Sequence, residues 1–114
     1  MTTLRAPRQM TAIVKVDRNG IIFCWNAAAE ELFGFTELEA IGSPLELIIP
    51  PPSHACHRQG FVSFVKSGVK TLPDSVTAVG RHKSGQLVRF RISTKAVVDN
   101  QGTVAGVEGL MLAE

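Results

Sequence analysis

The sequence predicts an α+β domain in which an antiparallel sheet carries short helices and one longer helix on a single face. Three observations predict it. Segments of β-type composition stand at both ends of the chain with helix-forming segments grouped between them. Residues 88 to 96 alternate apolar and polar: Val88, Phe90, Ile92, Thr94 and Ala96 fall on one side, and Arg89, Arg91, Ser93 and Lys95 on the other. Cap residues open the short helical runs and glycines close them.

The first strand is AIVKVD, residues 12–17, whose β-branched residues run into the turn RNG, with Gly20 free to take a positive φ. IIFCW resumes the β pattern and Asn26 follows it. An asparagine before AAAEELF is an N-cap, since its side-chain oxygen accepts from an amide of the first turn, and Glu30 and Glu31 lie where the helix dipole favours acids. Gly34 stops this helix. Thr36 before ELEAI and Gly42 mark a second short helix, and PLELI from Pro44 a third. Helices this short do not repay nucleation alone, so Leu38, Ile41, Leu45 and Ile48 are expected to bury against the sheet. The prolines at 50–52 block further helix. Ser53 is then expected to cap the longest one, HACHRQGFVSFVKS, ended by Gly68. SVTAVGRH, QLVRFRISTKAVV and TVAGVEGLML are the last three strands, joined by turns at 83–85 and 99–102.

A chain of 114 residues supports one domain with one core, here residues 11–114, with residues 1–10 as an appendage in which Pro7 interrupts a weak amphipathic pattern. The twelve basic and ten acidic residues are dispersed and leave no stripe to grip a phosphate backbone, so nucleic acid is not an expected partner. No apolar run reaches bilayer length and the N-terminus has no signal-peptide pattern, which leaves the cytoplasm as the expected location and no membrane partner. Cys24 and Cys56 form neither a CxxC pair nor an evenly spaced set, which fits a reducing compartment.

Catalysis finds no support, because the chain has no nucleophile elbow, phosphate-cradling loop, HExxH or acid pair at a working spacing, and no tyrosine. His57, Phe61 and Phe64 recur at helical spacing and form one stripe expected to face the sheet. Zinc at His54, Cys56 and His57 lacks a fourth ligand nearby, and neighbouring helical positions diverge. Trp25, at a strand end beside a cap, is read as packing, and Arg81, His82 and Lys83 as a solvated hairpin tip.

Four segments, in order, resemble a PAS domain across roughly residues 11 to 112: VDRNGIIFCWNAAAEELFGF, TELEAIGSPLELIIP, the histidine-bearing helix ending in SG, and GRHKSGQ at the late hairpin. The resemblance implies a five-stranded antiparallel sheet with helices on one face and a small cavity between the sheet and the longer helix. The PAS scaffold hosts haem, flavin, small organic acids, a hydroxycinnamoyl chromophore or nothing, so fold does not fix the signal. In that cavity Phe61, Phe64, Val76, Ala78, Phe90 and Ile92 would form the apolar lining, with His57, Thr77 and Thr94 as polar points.

Oxygen-sensing PAS domains carry their proximal histidine on the longer helix, eleven residues before its closing glycine, as His57 stands before Gly68. The arginine those sensors place on the next strand is missing, with Val76 and Thr77 in that region. A light-sensing flavin site would need an NCRF-like helix, and neither Cys24 nor Cys56 supplies one. The chromophore-bearing cysteine of photoactive yellow proteins has no counterpart either.

The resemblance therefore implies a non-enzymatic sensory domain of a transcription regulator or histidine kinase. It would bind a small-molecule ligand, form a homodimer through a helix in the N-terminal segment, and signal to an output domain elsewhere in the same protein. A protein-interaction PAS module that dimerises around an empty core is the alternative, and a haem sensor acting through His57 the third reading.

Overall fold

The computed structural model describes residues 11–67 and 75–114. The N-terminal segment assigned to dimer formation and Gly68, the expected helix stop, lie outside the described residues. Five strands, β1 (Ala12–Asp17), β2 (Ile22–Trp25), β3 (Val76–Arg81), β4 (Leu87–Val98) and β5 (Val104–Ala113), form one antiparallel sheet in the order β2-β1-β5-β4-β3. Between β2 and β3 run α1 (Ala27–Phe33), α2 (Glu37–Ala40), two 3-10 turns (Leu45–Ile48 and Pro51–Ser53) and α3 (His54–Ser67). The α+β reading and the five-stranded sheet hold.

Asn26 ties the first half together. Its Oδ1 accepts from Ala29 N at 3.0 Å as the cap of α1 and from Ile13 N at 3.0 Å, while its Nδ2 donates to the Thr11 carbonyl at 3.0 Å. One side chain thus caps a helix and continues the pairing of β1 beyond the ladder. Gly34, at φ 81°, closes α1 in the left-handed conformation that a side chain disfavours. Thr36 and Glu39 form a reciprocal capping box on α2.

Strand alternation places Ala12, Val14 and Val16 on the helix-bearing face, where they join Ile22, Trp25, Ala29, Phe33, Ile48, Phe90 and Met111 in the core. Trp25 packs there with its indole nitrogen donating to the Phe35 carbonyl at 2.9 Å. Phe33 from α1 meets Phe90 of β4 edge-on, at 5.4 Å between ring centres and 84°. Gly80 makes room for this pair, since a Cβ there would stand 2.8 Å from Phe33 and 2.9 Å from Phe90. On the open face, Glu108 of β5 lies between Lys15 of β1 and Lys95 of β4, at 3.6 and 3.9 Å.

Two expectations change. Pro51–Ser53 is itself a 3-10 turn that runs directly into α3, so Ser53 sits in helical backbone, whereas a capping residue needs extended dihedrals. Leu38 is exposed, on the solvent side of a helix too short to bury more than Ala40, and Ile41 is exposed at its end. Among the described residues, no helix is long and apolar enough to cross a membrane.

Candidate ligand site

The sequence places Asp17 before the turn Arg18–Asn19–Gly20, and that aspartate builds the first wall of a pocket. Its Oδ1 accepts from Asn19 N at 2.8 Å and Ile21 N at 3.0 Å, and its carbonyl accepts from Gly20 N at 2.9 Å. The second wall is the 3-10 turn at Leu45–Ile48, joined to the first by a bond from Leu45 N to the Gly20 carbonyl at 2.9 Å. The roof is the first half of α3, which lies against β5 and rests Phe61 over Gly20, 3.7 Å from where a Cβ would stand.

These three elements enclose about 200 Å3, lined by Arg18, Asn19, Leu45, Glu46, His57, Arg58, Phe61 and Val62, with Gly20 at its base. Arg58 reaches from the roof to Glu46 on the wall at 3.1 Å. The His57 ring stacks on Phe61, 6.4 Å between centres and inclined by 20°. His57 Nδ1 is sealed from solvent and has no hydrogen-bond partner. Burial holds the His57 pKa below the ordinary histidine range, against the pull of Glu46 and with the push of Arg58 and His54. The imidazole is therefore held neutral, and its Nδ1 lies inside the protein without a partner while the side chain lines the space.

Of the nine residues expected to line a cavity, this pocket gathers His57 and Phe61. Phe90 is core, and Ala78 and Ile92 pack against the core. Phe64, Val76 and Thr94 are half-buried outside the pocket lining. Thr77 is a correction: Val76 and Ala78 share one face of β3, so Thr77 takes the other, where its hydroxyl donates to Glu114 at 3.0 Å. In the β3–β4 half of the sheet, Phe33 from α1 packs against Phe90.

Sequence reasoning missed Arg18, Asn19, Leu45, Glu46, Arg58 and Val62. Arg18 and Asn19 read as turn chemistry, and nothing local reveals that this turn meets a helix some forty residues later. His54 is turned away from such a role, since its Nε2 donates to the Ile49 carbonyl at 2.7 Å.

The site does not fit a haem in this arrangement. Its volume is below the ~300–1,000 Å3 of pockets for drug-sized ligands. Nδ1 of His57 also lacks the acceptor that ordinarily orients a ligating imidazole.

A single antiparallel sheet, helices on one face and a small pocket under the longest described helix define a two-layer α+β domain with a built-in cavity. The family model described as PAS fold matches residues 9–112, and the chain belongs to that family. It is 33% identical over 75 residues to the sensor protein FixL of Bradyrhizobium diazoefficiens, a stretch covering 66% of this chain and 14% of that protein. The chain thus spans only a small part of the curated sensor it matches. Among solved structures, the PAS domain of a Colwellia psychrerythraea protein superposes with a TM-score of 0.76 at 23% identity, covering 91% of this chain and 86% of that one. The PAS domain of the Cronobacter turicensis RpfR quorum-sensing receptor, in complex with BDSF, gives 0.71 at 21% identity, covering 97% and 98%. At these identities the likeness is one of fold.

Proposed function

We propose that the domain is the sensory module of a cytoplasmic signalling protein, taking a small molecule under α3 and passing the resulting change to an output domain of transcription-regulator or histidine-kinase type. The observation that carries this reading is a pocket of about 200 Å3 roofed by His57 and Phe61 of α3, a helix with no fully buried residue among those described. Buried polar atoms ordinarily have partners, so the unpartnered Nδ1 of a ring that lines this space supports a bound arrangement in which the ring turns toward a ligand.

A ligand shifts the domain only by the difference in its affinity for two arrangements. The two arrangements available here are α3 down on the turn and α3 raised, because the pocket walls are pinned by backbone bonds and the roof is held by Phe61 and the Arg58–Glu46 pair. α3 lies against β5, the central strand, so its displacement reaches the sheet directly and, through it, a partner subunit in a homodimer. No step in this scheme makes or breaks a covalent bond, and the domain acts as a binding module.

A second reading, a dimerisation module without ligand, is favoured by one observation: the centre of the sheet face is filled by Phe33 and Phe90. Thermal melting across a panel of small organic compounds separates the two. A sensor's midpoint rises with ligand concentration by mass action. A flat response in a protein that light scattering shows to be dimeric would replace the sensory reading with the dimerisation module, and a Soret band in freshly purified protein would replace it with a haem sensor.

A further inference from the structure

We infer that the open face of the sheet is a docking surface for the α1–α2 end of a second copy of this chain, so that copies associate head to tail. The association needs no ligand in the pocket, and it stands or falls apart from the sensory reading.

Strand alternation builds the docking surface. With Ala12, Val14 and Val16 turned to the core, Ile13 and Lys15 take the other face of β1, and the register carries that face across β5 and β4. Ile13 stands opposite Leu110, and Leu110 and Leu112 are exposed, which gives the face an apolar centre. Basic residues that look dispersed along the chain gather around it. Glu108 is shared by Lys15 and Lys95, and Glu114 lies 3.5 Å from Arg89. Arg91, in register with Leu112, and Arg81 are exposed and have no ion pair or side-chain hydrogen bond among the described residues. These two guanidinium groups leave the face with unmatched positive charge.

The complementary surface lies on the helical layer. Glu37 N donates to the Glu30 carboxylate at 2.6 Å, which joins α2 to α1 and gathers their acids, with Glu31 and Glu37 exposed. Of the acids here only Glu39 has a cation, Lys83. Between Glu37 and Glu39 stands Leu38, 91% exposed, and Ile41 after it is exposed as well. A leucine among acids is the counterpart of leucines among arginines: the apolar centres exclude water and the charges pair around them. The helices cover the opposite side of the sheet, so the two surfaces of one copy cannot meet, and a second copy supplies the missing half. Charge disfavours the other occupants within this chain. Two sheet faces brought together would set like charges against each other, and residues 1–10 carry Arg5 and Arg8 with no acid. A contact between unlike surfaces leaves one of each free, so association proceeds beyond a dimer.

The test is sedimentation velocity of the whole chain over the range of a weak interface, about 10 µM to 1 mM. The weight-average mass should climb past that of a dimer, and raising salt from about 0.05 to 0.5 M should weaken association at least about tenfold. Leu38→Glu and Arg91→Glu should each be monomeric at an unchanged melting midpoint, since both side chains are exposed. An equimolar mixture of the two variants should form a dimer and nothing larger, because the first keeps its sheet face and the second its α1–α2 end. A wild-type chain that stays monomeric or stops at a dimer, association that survives Leu38→Glu, or a mixture that stays monomeric would overturn the proposal. Binding of duplex DNA by a monomeric chain, lost in Arg91→Glu, would give the face to a polyanion and overturn it too. None of these results alters the melting response to small molecules, which tests the sensory reading.

Discussion

α1 and α3 are held to the same sheet by different means. α1 is seven residues long and buries Ala28, Ala29 and Phe33; α3 is fourteen residues long, and among its described side chains none is fully buried. α1 is capped at both ends and pinned to β1 through Asn26, while α3 carries His57 stacked on Phe61, Phe61 over the Gly20 turn and the Arg58–Glu46 ion pair. The lesson is that stability and responsiveness are divided within the domain. α1 contributes fully buried side chains to the core, whereas α3 contributes none among those described, the condition under which an element opens locally.

The sharpest way to break this contrast is to cut each end in turn. Phe33→Ala removes a fully buried ring that touches Trp25 and Phe90, and should cost about 3–5 kcal/mol in urea denaturation. Asn26→Ala should follow at about 2–3 kcal/mol, more than an ordinary cap, because the bonds to Ile13 of β1 and to Thr11 just before it are lost with the cap. Phe61→Ala, at the α3 end, should cost only about 1 kcal/mol, since the ring is half-buried, and should leave the denaturation slope unchanged. A Phe61→Ala loss equal to that of Phe33→Ala would erase the distinction between the two ends.

The smallest expected effect is on pH dependence. Because the His57 pKa is depressed in the folded protein, the unfolded chain binds more protons between the lowered value and about 6.5. Folding stability should therefore be complete above that window and decline as pH falls through it. Comparing wild type with His57→Gln in urea titrations on either side of the window checks this, and identical pH dependence in both proteins would contradict it.

Most of the framework was legible in the sequence because its signals are local. The β1–β2 turn at Gly20, the Asn26 cap, the Gly34 stop and the alternation of β4 each depend on a few adjacent residues, and each appears where the sequence placed it. The pocket was not legible for the opposite reason. Whether α3 lies over β3 and β4 or over the β1–β2 turn is decided by packing between distant segments, and Phe33 takes the space the sequence left for a ligand. Thr77 is the reverse case at the scale of one residue: a polar side chain between Val76 and Ala78 belongs to the opposite face, as strand alternation alone shows.

Native-state hydrogen exchange tests the division most directly. The account predicts that amides of α3 exchange through a local opening well before those of α1 and β5. Exchange of α3 and α1 together, at the rate of global unfolding, would contradict it.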